Sequence, residues 1–174
     1  RTFRIVPFKQ RNGDEVRVLA SQDSTVITLS GQAPFVLDSG EVADLFVNVP
    51  LTITATAPVA VGQFNDSQFC NAALGDPCYL WVHPADHLDQ RAIWTSRTGA
   101  GTPQHFVNIV ANGEAGTPQV LLDGNNISSQ MQPMASVPGV FWGQFTLTAT
   151  RHTIESADGF QAWAYGMGDY NSYA

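Results

Sequence analysis

What most constrains this chain is the period of its apolar residues, which is two almost everywhere. Residues 3–8, 15–19, 25–29, 51–56, 105–110, 144–150 and 160–165 read with a period near two, and threonine repeatedly takes the polar positions. Successive side chains of a strand point to opposite faces, so such segments place one face in a core and the other in water. Valine, isoleucine, threonine and aromatics dominate these runs. Glycine, proline, asparagine or aspartate separates them, as strands and turns require. No window sustains a 3.6-residue period, and residues 85–92 have room for a turn or two of helix at most. The sequence predicts an all-β protein.

Composition narrows the function classes. A chain of 174 residues buries roughly 70% of its unfolded surface and needs no metal or disulfide lattice to fold. With 44% hydrophobic and 13% charged residues, it is too apolar and too weakly charged for a disordered segment. Fifteen acidic residues against eight basic ones give a net charge of −7, and Lys9 is the only lysine. A nucleic-acid ligand needs clustered cations to displace phosphate counterions, so nucleic acid is excluded as a partner, and anionic membrane surfaces fare no better. No apolar run approaches the ~18 residues of a spanning helix, so membrane insertion is not expected. The chain opens on Arg1 rather than methionine, which reads as a processed form or a fragment.

The pattern repeats loosely. Residues 16–20 are followed by 25–31, and 51–56 lead through Pro58 into 59–64; likewise 106–111 are followed by 118–124, and 152–156 lead through Asp158-Gly159 into 160–166. This predicts two pseudo-repeated antiparallel β-sandwich lobes, or one sandwich built from two related halves. The divisions read from it are a first lobe over 1–64, a connector over 65–101 and a second lobe over 102–174.

The connector is the least strand-like and chemically most varied stretch, and a functional surface loop is sought there first. Cys70 and Cys78 bracket Cys70-Asn-Ala-Ala-Leu-Gly-Asp-Pro-Cys78, a spacing suited to a disulfide-closed loop worth roughly 2.5 kcal/mol and unsuited to zinc. That disulfide favours an exported protein. His83, Asp86, His87 and Asp89 cluster there as well, but Pro84 lies between the histidines and interrupts any helical zinc motif, so no metal is assigned. The oxygen-rich turns at 12–15, 123–126 and 168–171 have a composition that can hold calcium, yet none matches the spacing of a calcium loop, hairpin turns account for them better, and no cofactor is expected. No Gly-x-Ser-x-Gly elbow is present, and the four glutamates, Glu15, Glu41, Glu114 and Glu155, sit at strand ends or turns. No signal points to catalysis. Trp81, Trp142 and Trp163 read as core, and Tyr170 and Tyr173 as exposed.

The order of these pieces resembles the immunoglobulin-G Fc-binding protein N-terminal domain family and its bacterial surface relatives. The resemblance rests on Val16-Arg-Val-Leu-Ala20 with Asp23-Ser-Thr-Val26, on Ala57-Pro-Val-Ala-Val-Gly62, and on Asp76-Pro-Cys-Tyr-Leu-Trp-Val-His-Pro84. It is strongest in Val120-Leu-Leu-Asp-Gly124, His152-Thr-Ile-Glu-Ser156, Phe160, Tyr165-Gly166 and Asp169-Tyr-Asn-Ser-Tyr173. Two departures stand out: Arg151 replaces the usual glycine, and the Cys-Asp-His pattern of the animal proteins is reduced to Asp86-His87. The resemblance implies a non-enzymatic, exported module for adhesion or surface display, often one part of a longer mosaic protein.

Together these readings predict an extracellular or cell-surface binding module of a bacterial surface or fibre protein, recognising a cell-surface glycan or protein. The ligand-contacting residues expected by location are Trp94, His87, Asp86, Tyr79 and Tyr170. The alternatives are a structural, homo-oligomer-forming spacer and, more remotely, a metal-dependent hydrolase around His83, Asp86 and His87.

Overall fold

The computed structural model describes residues 1–71, 73–97, 101–113, 116–135, 137–148 and 150–174. It is almost entirely antiparallel β-structure, as the alternation requires. The first half holds β1 (Thr2–Ile5), β2 (Asp14–Ala20), β3 (Thr25–Leu29), β4 (Phe35–Leu37), β5 (Val42–Val47), β6 (Leu51–Ala55), β7 (Val59–Asn65), the four-residue helix α1 (Gln68–Asn71) and β8 (Tyr79–Trp81). The second holds β9 (Asp89–Thr95), β10 (Gln104–Asn112), β11 (Leu121–Leu122), β12 (Asn125–Asn126), β13 (Gln132–Pro133), β14 (Val140–Leu147), β15 (Arg151–Gly168) and β16 (Asn171–Tyr173).

The first half forms two four-stranded sheets, ordered β1-β6-β3-β4 and β5-β2-β7-β8. Strand β2 shows how sequence alternation becomes packing. Val16, Val18 and Ala20 are buried, while Arg17 and Leu19 face solvent. In the second half the same neighbour relations recur: β9-β15-β11-β12 on one side and β14-β10-β15-β16 on the other. All eight strands belong to one sheet, because β15 runs through both sets. Its residues 151–155 lie between β9 and β11, its residues 160–167 pair with β10, and the register slips between Glu155 and Phe160. The Asp158-Gly159 pair, read from sequence as a turn between two strands, is therefore an irregularity within one continuous strand. Gly159 takes φ +84° there, the left-handed region that favours glycine.

Two other expectations change. The stretch read as a non-strand connector contributes β8 to the first half's sheet and β9 to the second half's. The segment 85–92, read as the best helix candidate, is a turn running into β9. Its alternating Ala92 and Trp94 pack against the second core, and that tertiary burial outweighs a weak local helix preference.

The halves meet on residues 6–9, between β1 and β2. This segment belongs to no strand, so its peptide groups need other partners once buried. Side chains of both halves supply them. Asn108 Nδ2 donates to Val6 O and Pro7 O, each at 2.9 Å, and Gln144 Nε2 donates to Pro7 O at 2.6 Å. Gln63 Nε2 donates to Val6 O at 2.9 Å and to Asp14 Oδ2 at 2.6 Å, and that same oxygen accepts the Phe8 N–H at 2.7 Å. The Tyr165 hydroxyl accepts from Lys9 N–H at 2.7 Å and donates to Asn108 Oδ1 at 2.9 Å. Phe8 stands edge-on to the Tyr165 ring, 4.6 Å between centroids, and Phe106 is tilted against the same ring at 5.5 Å. Phe106, Tyr165 and Met167 of the second half thus join the first half's core. Val6 joins Val110, Met134 and Val140 in a small cluster of its own.

Asp14 is wholly buried, and its Oδ1 has no hydrogen-bond partner. Loss of hydration outweighs the two donors on Oδ2 and the charge of Arg11, so its pKa rises from 3.8 to about 7. A carboxyl whose folded pKa lies above its unfolded one binds its proton more tightly when folded. Stability is therefore full below about pH 4 and falls as pH rises to about 7, by about 4 kcal/mol if Asp14 acts alone. Because pH 5 already lies above the unfolded pKa, urea midpoints taken at pH 5 and pH 8 should show about 2–3 kcal/mol of this loss in the native protein, and a much smaller one in Asp14→Asn, which keeps an oxygen for the Phe8 N–H. Tyr165→Phe leaves the Lys9 N–H and Asn108 Oδ1 unpaired and should cost about 1–3 kcal/mol at either pH.

Candidate functional site

An antiparallel sheet with one face in a core normally shows water a polar face. The outer face of β5-β2-β7-β8 does not. Register places its outward side chains in three rows: Val42, Leu19 and Ala60; Asp44, Arg17, Gly62 and Trp81; Phe46, Glu15, Phe64 and Tyr79. Phe46 is 67% exposed and Trp81 56%, and Leu19, Val42 and Tyr79 are also exposed. Tyr79 packs edge-on against Trp81 (5.3 Å between centroids) and tilts against Phe64 (4.8 Å). Gly62 leaves a hollow between them. A Cβ there would stand 2.7 Å from Tyr79 Cε2, too close for the ring to stay. The result is a shallow apolar groove of about 200 Å³ floored by Ala60 and Gly62.

One cation crosses this face and is held in place. Arg17 Nε lies 2.8 Å from Asp44 Oδ1, its Nη2 contacts Glu15, and its guanidinium sits 5.1 Å above the Phe64 ring. These exposed ion pairs add little stability. Their effect is to fix a planar donor group over an aromatic ring.

A second concavity of about 380 Å³ is polar and is lined by His83, His87, Leu88, Asp89, Gln161, Ala162 and Trp163. The two imidazoles are roughly parallel, 6.2 Å apart. Gln161 is buried, and its Nε2 donates to Pro84 O at 2.9 Å and His83 O at 3.3 Å. Its Oε1 is buried with no partner. Among the described residues no group of three or more His, Cys, Asp or Glu is placed to hold a metal ion.

The five residues expected to contact ligand are not brought together. Tyr79 lies on the apolar face and His87 in the polar groove. Asp86, next in sequence to His87, points instead to Arg1, 3.8 Å away at the surface. Trp94 is half-buried in β9 beside His152 (5.4 Å between rings), with its Nε1 enclosed and unpartnered. Tyr170 is exposed at the β15–β16 turn, 5.7 Å from Phe69. Tyr173, expected to be exposed, is half-buried, with its hydroxyl 2.8 Å from His105 Nδ1. Trp142 and Trp163 are half-buried against the junction cluster, whereas Trp81, expected in the core, is on the open face. Sequence reasoning also passed over Arg17, Leu19, Val42, Phe46 and Phe64. A signal for them existed: Val42-Ala-Asp-Leu-Phe-Val47 is apolar on both alternating faces except at Asp44, which an ordinary half-exposed strand is not.

The disulfide expected between Cys70 and Cys78 is not formed; both are free thiols. Hydrogen bonds close the loop in its place. Asn65 Nδ2 donates to Asp66 O and Asp76 O while its Oδ1 accepts from the Cys78 amide, Gln68 N–H donates to Gly75 O at 2.7 Å, and Arg11 reaches Leu74 O. Burial pushes the Cys78 thiol up to about 12, while Cys70 is exposed.

Fold and surface define the class: an antiparallel all-β chain, with no described helix long and apolar enough to cross a membrane, presenting one apolar sheet face. The chain belongs to the IgGFc binding protein family, whose model it matches over residues 1–166. No curated protein and no solved structure matches it.

Because the Trp81 side chain is exposed, Trp81→Ser should change unfolding free energy by less than about 1 kcal/mol in a urea titration. Iodoacetamide at pH 8 should alkylate Cys70 well before Cys78, followed by peptide mass mapping; a Cys70–Cys78 peptide resistant to alkylation would contradict the free-thiol structure.

Proposed function

We propose that the chain is a non-enzymatic, extracellular binding and adhesion module, of the kind found in bacterial surface or fibre proteins, and that it recognises a protein partner on the outer face of β5-β2-β7-β8. The observation that carries this is the apolar face itself. Exposed Phe46, Trp81, Val42, Leu19 and Tyr79 lie in register around a pinned arginine. Contiguous apolar patches of this kind mark interaction sites, and aromatics with arginine dominate the energetics of protein interfaces. Membership of the IgGFc binding protein family supports a protein ligand, an exported location and the absence of turnover.

The two-lobed organisation is part of the reading. The matching strand orders support two related sandwich units that meet near residues 82–88, with β8 in the first and β9 in the second, and no separate connector. A glycan ligand is the second reading. The polar groove favours it, since Gln161 Oε1 lacks a donor that a sugar hydroxyl would supply.

Binding of the labelled chain to arrayed extracellular proteins, IgG Fc among them, and to a glycan array separates the readings. Saturable protein binding weakened at least about tenfold by Trp81→Ser or Gly62→Ala, and unchanged by His87→Ala, is the expected result. Glycan binding lost in His87→Ala and kept in Trp81→Ser would replace it with the second reading.

A further inference from the structure

We propose that β5 is a strand-acceptor edge, to which a partner protein adds an extended segment of apolar residues alternating with lysine or arginine. This rests on the protein-recognition reading above and specifies how the partner is held. Among the described residues, β5 ends its sheet and nothing pairs with its outer side. The topologically equivalent strand of the second half, β14, is not left open: β13 pairs with it antiparallel, with Gln132 opposite Trp142 and Pro133 opposite Phe141. The same architecture therefore completes this edge with a strand in one half and leaves it bare in the other.

The direction of the unpaired groups follows from the register. Ala20 N–H donates to Glu41 O at 3.1 Å across the β2–β5 pair. Hydrogen-bonding positions alternate along an antiparallel ladder. The backbone groups of Ala43, Leu45 and Val47 thus face β2, and those of Val42, Asp44 and Phe46 face outward. Natural edges are guarded by proline, lysine, bulges or short length. Strand β5 has six residues, contains neither proline nor lysine, and keeps unbroken register from Val42 opposite Leu19 to Val47 opposite Asp14. Its only guard is Asp44, which Arg17 already engages.

Charge selects the occupant. The depression beside this edge is lined by Leu45 and Phe46 together with the carboxylates of Glu15, Asp44 and Asp66. An incoming strand with basic and apolar side chains complements it. A second copy does not: antiparallel pairing of β5 with itself brings two such carboxylate groups together, between chains that each carry a net charge of −7.

Two short synthetic peptides test this, one alternating valine with lysine and one alternating valine with glutamate, read by fluorescence anisotropy and by amide hydrogen exchange of the full chain. The lysine peptide should bind saturably and slow exchange at Val42, Asp44 and Phe46; the glutamate peptide should bind at least about tenfold more weakly. Asp44→Pro removes an outward N–H without breaking the β2–β5 ladder and should abolish binding. Val42→Pro serves the same purpose if Asp44→Pro does not fold. Unchanged exchange at the three amides with the lysine peptide, or full binding by the folded proline variant, overturns the proposal. So does protection of the same amides in a dimer of the protein alone, which would make a second copy the occupant. The arrayed-protein assay reads the aromatic face and the three amides read the edge: protein binding weakened by Trp81→Ser, with no protection at those amides, overturns this proposal alone. Failure of the aromatic-face reading is thereby distinguishable from failure of this one.

Discussion

The structure depends on how the strandless residues 6–9 are satisfied. A buried stretch outside any ladder leaves its peptide groups without the partners a strand would give, and each orphan costs about 1–3 kcal/mol. Here Asn108, Gln144 and Tyr165 of the second half and Gln63 and Asp14 of the first take up the carbonyls of Val6 and Pro7 and the amides of Phe8 and Lys9. Because those side chains come from both halves, satisfying the segment and docking the halves are one event. The apolar share of the same contact, Phe8 against Tyr165 and Phe106, supplies the burial that makes satisfaction necessary.

That junction also explains an asymmetry between β10 and β2, each the strand second from the edge in its order of neighbours. Residues His105 to Ala111 of β10 are buried without a break, because one face packs on the second half's core and the other on the first half. Strand β2 holds the corresponding place in its own sheet, yet Arg17 and Leu19 face solvent, since no described residue covers that side. A surface that the architecture covers in one half stays open in the other and keeps apolar residues. That open face is the one proposed to bind a partner.

Much of this was legible in the sequence because it depends on local periodicity. Threonine alternating with apolar residues located β3, β6 and β14, and Asp123-Gly124 lies at the β11–β12 turn, with Asp123 at φ 53° and Gly124 at φ 77°. What was not legible depends on which elements come together. Asp86 and His87 are adjacent in sequence but belong to different surface depressions, because the turn after Pro84 sends successive side chains apart. Trp81 looks like a core residue until β8 is known to be an edge strand with an open outer face. Cys70 and Cys78 look like a disulfide until Asn65 and Arg11 are seen to hold their loop.

The sequence by itself determined that the chain is β, that its ladders are antiparallel with tight turns, and that it lacks the cations a polyanionic partner would need. Side-chain period, turn chemistry and net charge are properties of neighbours along the chain, so they need no fold to be read. Only the tertiary structure decided which face of which sheet stays uncovered, which strand ends its sheet without a partner, and where a buried carboxyl meets a strandless segment. Those depend on contacts between residues far apart in sequence, such as Lys9 with Tyr165 and Val6 with Asn108. No local pattern encodes them.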